Sequence, residues 1–172
     1  MAEAESLEPF CAEYRVLTGK QIDLVSACER PDFICQISGM PFGLEVVRAM
    51  PDPIDRGWDV AFGRSGLLDG MEAALLVQES VYDKEAKRAS PDWQLPESTI
   101  LVVQLVGSRS DDVLEYLDDE VMEELSATGF VEIWIADSSP MPTHGTVQLA
   151  GIKPIQWRGG HPHRFQDRKP YG

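Results

Sequence analysis

Residues 100–106 read Ile-Leu-Val-Val-Gln-Leu-Val, a nearly continuous apolar run. A strand with one wet face alternates polar and apolar residues; a strand without that alternation is buried on both faces. The run therefore predicts a central strand, and with it a sheet covered by helices on each side. The rest of the chain agrees. Leu7, Phe10, Cys11, Tyr14 and Leu17 recur at helical spacing over residues 5–18, and Gly19 ends the helix. Residues 22–28, 32–38 and 42–48 read as three strands, with a turn at Gly39-Met40-Pro41 between the second and third. Residues 51–66, rich in Pro, Gly, Asp and Arg, read as a loop.

A helix is expected over residues 68–89, with Met71, Ala74, Leu75, Val77, Val81 and Ala86 available for its apolar face. After the central strand an acidic helix is expected over 111–127, with Ser110 as its N-cap and Gly129 closing it. Strands over 130–136 and 146–152 complete the chain. The predicted order is α-β-β-β-α-β, then α-β-β: an α/β fold with a mixed central sheet flanked by helices. At 172 residues the chain fits a single domain. Residues 1–153 form that domain, and 154–172 read as an irregular, basic C-terminal tail packed on or beside it.

The net charge is −14, from 15 basic and 29 acidic residues. That balance excludes a protein that coats DNA by bulk electrostatics. The charge is uneven, however. Residues 111–124 are strongly acidic, whereas Arg158, Arg164, Arg168, Lys169, His161 and His163 make the tail basic. A local basic patch can serve a nucleic-acid partner; a solvated acidic helix and a polar tail explain the same charges. The acidic first residues do not form a signal peptide, and no apolar run approaches the roughly 18 residues of a membrane span. Cys11, Cys28 and Cys35 are odd in number and include no CxxC pair, so they read as free thiols of a cytoplasmic protein.

Asp32, Glu45 and Glu13 stand out by placement. Glu45 sits mid-strand among Leu44, Val46 and Val47. A carboxylate there costs energy to bury unless a cation or hydrogen-bond donors offset its desolvation. A hairpin over Gly39 would bring Asp32 and Glu45 side by side at its open end. Two such carboxylates suit Mg²⁺ or Mn²⁺, since Mg²⁺ takes one or two carboxylates with waters and phosphate oxygens. Singly, a strand glutamate is more often solvated and a Pro-Asp pair more often a turn. His161-Pro162-His163 lacks a cysteine at zinc-ligand spacing and reads as part of the tail.

Pro31-Asp32-Phe33, the thirteen-residue step to Glu45 and the following Val46-Val47, set in this element order, resemble the PD-(D/E)XK pattern of restriction-endonuclease-like nucleases. Glu13 matches the first-helix glutamate of many members. Phe130-Val131-Glu132-Ile133-Trp134, Lys153-Pro154 and Trp157-Arg158-Gly159 resemble C-terminal parts of bacterial members. The resemblance implies metal-dependent phosphodiester hydrolysis of nucleic acid, DNA ahead of RNA, with Asp32 and Glu45 as Mg²⁺ ligands and the basic tail as a contact. It implies Glu13 as a group that positions a water or a second metal.

One position departs from the pattern. The family lysine two residues after the acid is Val47 here. Gln78, with Tyr82, forms a Gln-x-x-x-Tyr spacing similar to that of RecB-type exonucleases, and Gln78 is the expected stand-in. Lys84 or Lys87 on the same helix, or Gln36 on the second strand, could also serve. With the lysine position lost, a catalytically inactive binding or regulatory protein of the same fold is the second expectation. A protein-interaction module docking through its acidic helix is the third.

Overall fold

The structure, a computed structural model, describes residues 2–49, 69–92, 98–105 and 107–158. It is an α/β fold around one six-stranded mixed sheet in the sequential order β1 to β6. The strands are β1 (Ile22–Ala27), β2 (Phe33–Ile37), β3 (Met40–Ala49), β4 (Thr99–Leu105), β5 (Glu132–Asp137) and β6 (Gln148–Lys153). β2 runs antiparallel to both of its neighbours, β1 and β3; β3, β4 and β5 are parallel; β6 returns antiparallel to β5.

Parallel neighbours need a crossover. Helix α2 (Gly70–Arg88) lies between β3 and β4 in sequence, and α3 (Ser110–Leu114) with α4 (Asp119–Ser126) between β4 and β5. Crossovers of one hand that advance in one direction leave their helices on the same face. That face is filled by Ala73, Val77 and Val81 of α2, Leu125 of α4, and Val103, Ile133 and Ile135 of the sheet. The opposite face belongs to α1 (Ala2–Thr18), whose Leu7, Phe10 and Tyr14 pack on Leu44, Val46, Val102 and Trp134. β4, at the centre, is buried along almost its whole length, as its apolar run predicts. Each such side chain contributes roughly 1.5–3 kcal/mol.

Three local expectations need correction. The hairpin turn is the two-residue loop Ser38-Gly39, both at positive φ (53° and 78°), with Ile37 opposite Met40. A tight loop of this twist needs positive φ at both central positions, so Met40 and Pro41 already belong to β3. The acidic helix is two helices. The Asp118 carboxylate accepts from Val121 N–H at 2.9 Å and starts α4 afresh, while Leu117 turns inward. Ser110 is no N-cap: it is the first residue of α3, and its N–H donates to Asp137 at the end of β5 (2.8 Å). A short helix α5 (Met141–His144) also precedes β6.

The tail begins as a 3₁₀ turn (Ile155–Trp157) packed against β6, not as irregular chain. Arg158 there donates to Ile152 O, Ser126 Oγ and the Glu123 carboxylate. This arginine is committed to α4 and is not a free basic contact. His161, His163, Arg164, Arg168 and Lys169, and the expected loop of 51–66, lie outside the described residues.

Candidate functional site

Pro31 and Asp32 lead into β2, and the antiparallel register sets Phe33 opposite Leu44. Asp32 therefore comes beside Glu45 at the open end of the hairpin. The two are linked reciprocally. The Asp32 N–H donates to Glu45 Oε2 (2.9 Å), and the Val46 N–H donates to Asp32 Oδ2 (2.9 Å). Each carboxylate thus continues the ladder where the strand pairing stops. The approach of this corner also depends on Gly43, since a Cβ there would lie 2.8 Å from Pro31 Cγ and 2.9 Å from Thr99 Oγ1.

Strand alternation turns Leu44 and Val46 toward α1, so Glu45 and Val47 face α2. Glu45 is 3% exposed. Its desolvation is offset by Lys84 of α2, whose Nζ lies 2.5 Å from Oε1; the lysine side chain is only 15% exposed. Val47 shares this face and packs at the edge of the core, where it supplies no charge.

The last turn of α2 is pinned. Glu85 takes two hydrogen bonds from Arg88 and one from the Gly129 N–H, and these donors hold its carboxyl below the usual range. The Arg88 guanidinium lies over the Phe130 ring at 5.9 Å. The turn carrying Lys84 is thereby tied to the segment leading into β5. Beside it opens a cleft of about 380 Å³ lined by Arg30, Asp83, Ala86, Lys87, Ser90 and Asp92. Arg30 reaches Asp92 at 3.5 Å across it, an exposed pair of little energetic weight. Arg30 lies two residues before Asp32, and Asp83 and Lys87 are sequence neighbours of Lys84 on α2, but Asp32, Glu45 and Lys84 do not themselves line the cleft.

The other expected site residues lie elsewhere. Glu13 is buried on α1, on the opposite face of the sheet, where its Oε2 accepts from Thr146 Oγ1 at 3.1 Å. Its place beside Asp32 and Glu45 is corrected accordingly: strand alternation sends Glu45 to one side and α1 covers the other. The same face carries a network in which Tyr14 and Trp134 donate to Glu132. Gln78 is also displaced. Its Nε2 donates to Ala74 O of its own helix (3.3 Å). Tyr82, one turn on, hydrogen-bonds Glu124 of α4, and its phenol is pushed up by partial burial and then by that carboxylate. This stripe looks toward α4. Lys84 lies six residues after Gln78, roughly 120° around the helix, which aims it at β3. Gln36 is exposed, near the closed end of the hairpin.

The trio brought together is therefore Asp32, Glu45 and Lys84. Arg30 and the cleft were not anticipated; an arginine before Pro31 gives no local signal beyond charge. The pair suits a hard divalent cation: each oxygen that accepts one of these hydrogen bonds keeps a further lone pair, and carboxylates are the ligands Mg²⁺ prefers. Among the described residues, no group of three or more His, Cys, Asp or Glu assembles as a metal cage, and no helix is long and apolar enough to cross a membrane. The chain matches no family model, and no curated protein or solved structure matches it.

Proposed function

We propose that this chain is a metal-dependent nuclease of the restriction-endonuclease-like kind whose missing motif lysine is supplied by Lys84. The observation that carries the reading is the ion pair between Lys84 and Glu45 beside Asp32. Two carboxylates and one lysine come together at the open end of a strand pair, with the lysine arriving from a helix instead of from Val47. Asp32 and Glu45 would hold Mg²⁺ or Mn²⁺, which supplies acidification of a water and charge neutralisation on the phosphate. Lys84 faces the same point and can donate to a phosphoryl oxygen or hold the attacking water. Arg30 and Lys87 in the nearby cleft can each contact a phosphate of the strand, although Asp83 and Asp92 line the same cleft and balance their charge. Gln78 and Glu13 have no part in this mechanism.

The test is cleavage of labelled single- and double-stranded DNA and RNA with Mg²⁺ or Mn²⁺. Activity should fall with Asp32→Asn, Glu45→Gln and Lys84→Met, and survive Gln78→Ala. Cleavage that persists through the first three substitutions places the chemistry elsewhere.

A second reading rests on a specific observation. Glu45 Oε1 and Oε2 both have protein partners, in Lys84 and the Asp32 backbone. A satisfied set of this kind also describes a structural lock in an inactive binding protein. Calorimetry with Mn²⁺ separates the two, since a lock releases no site to the metal.

A further inference from the structure

The charges of this chain are segregated. No Lys or Arg occurs between Arg109 and Lys153, and none occurs on α2 before Lys84. The cations near the candidate site gather at the C-terminal end of α2, while its first three turns and α3 and α4 present acids. Within this acidic surface lies an apolar stripe. Met71, Leu75 and Tyr82 are spaced by four and seven residues on the outer side of α2 and are 54%, 53% and 44% exposed. Tyr116, also exposed, lies near the start of the helix, with its ring beside Gly70. Glu72 and Glu79 border the stripe on one side, and Glu124 meets Tyr82 on the other.

Single exposed apolar residues are ordinary, whereas a contiguous apolar stripe inside a charged rim marks an interaction surface. We propose that this face docks a basic amphipathic helix of a protein partner. The length fits: eleven residues at a rise of 1.5 Å span roughly 16 Å, about three helical turns. A partner helix reads such a stripe through anchors at i, i+4 and i+7. The chemistry follows from the rim. A second copy of this chain would bring like charge against like, and a nucleic acid would be repelled by the same carboxylates. Lys and Arg flanking apolar anchors complement the rim, steer the encounter and fix the register. This surface lies on the outer side of α2, away from the strand that carries Glu45, and does not depend on the nuclease reading.

The probe is a fluorescein-labelled 18-residue peptide of Leu and Lys in amphipathic helical order, followed by anisotropy against the full chain. A scrambled peptide of the same composition measures charge attraction alone. The expected result is saturable binding of the ordered peptide, at least about tenfold tighter than the scrambled one. Leu75→Ser with Tyr82→Ser should weaken it by at least about tenfold, the size of losing buried apolar anchors. Both positions are exposed, and a thermal melt confirms that the variant stays folded. Equal binding of the two peptides, binding untouched by the variant, or no binding overturns the proposal. So does a dimer in light scattering that the same variant abolishes, since the occupant would then be a second copy.

Discussion

The Lys84 ammonium stands 2.5 Å from Oε1 of Glu45, thirty-nine residues earlier in the chain. One belongs to a helix and the other to a strand. Under the nuclease reading, the position that the motif gives to lysine is held by Val47 on the same face. The charge can therefore be relocated. Lys84→Met should lower Mg²⁺-dependent cleavage by about 10²–10⁴, the usual range for a positioned proton-transfer or charge-bearing group. Adding Val47→Lys to Lys84→Met should recover a measurable part of it. A double variant as inactive as Lys84→Met alone would show that the lysine serves from the helix or not at all.

The ion pair makes a stability prediction independent of catalysis. Removing one partner of a buried pair strands the other and costs about 3–5 kcal/mol, whereas replacing both by neutral groups of similar size costs much less. Glu45→Ala should lower the urea midpoint strongly. Glu45→Gln combined with Lys84→Met should sit well above the sum of its single variants. Additive losses would mean that the two groups are not coupled in solution.

Metal binding should compete with this pairing. Calorimetry with Mn²⁺ is expected to give one site per chain, lost in Asp32→Asn and in Glu45→Gln, with the melting temperature raised by saturating metal. An unchanged melt together with no heat would remove the metal-dependent reading.

Gly43→Ala should destabilise by about 1–3 kcal/mol, as overpacking does. A Cβ at this position meets the Pro31 ring and Thr99, so the substitution should also disturb Asp32 and reduce Mn²⁺ affinity. Intact metal affinity in a destabilised variant would separate the corner's packing from the site.

The buried thiols set an alkaline limit. Burial, and then neighbouring Glu8, pushes Cys11 up to about 11; burial, and then Cys11 and Asp23, pushes Cys35 up to about 12. Burial and Glu132 raise the Tyr14 phenol as well. Each group loses its proton more readily in the unfolded chain, so the unfolded state binds fewer protons above about pH 9. Stability is then fully present below that pH and falls as pH rises through 9 toward 12. Urea midpoints at pH 8 and pH 10.5 check the sign, and the drop should shrink in Cys35→Ala.

How much of this was legible in the chain differs by element. The Asp32–Glu45 pairing was, because strand alternation and a glycine turn determine which side chains meet across a hairpin. β4 was legible from composition alone. Lys84 was one candidate among several: Lys84-Glu85 and Lys87-Arg88 look like an ordinary solvated helix end, and nothing local states how a helix rotates on a sheet. That rotation is set by Ala73, Val77 and Val81, and it turns Lys84 inward while Gln78 looks toward α4. Glu13 was misplaced for a related reason, since the choice of sheet face for α1 is a property of the assembled layers. The break at Asp118 was missed because an aspartate in an acidic stretch looks like helix surface until its carboxylate is seen capping Val121.

The clamp between Glu85, Arg88 and Gly129 gives the trio a particular relation to folding. Glu45 comes from β3, Asp32 from the residue leading into β2, and Lys84 from a helix whose last turn is held by a separate contact far along the chain. A collapsed state with all its helices and strands formed but with α2 undocked would contain Asp32 and Glu45 and lack the cation that pairs with Glu45. Under the nuclease reading, loss of turnover on gentle heating with Mn²⁺ still bound would then report undocking of one helix, ahead of any change in far-ultraviolet dichroism. The chemistry of this corner is a gauge of layer assembly.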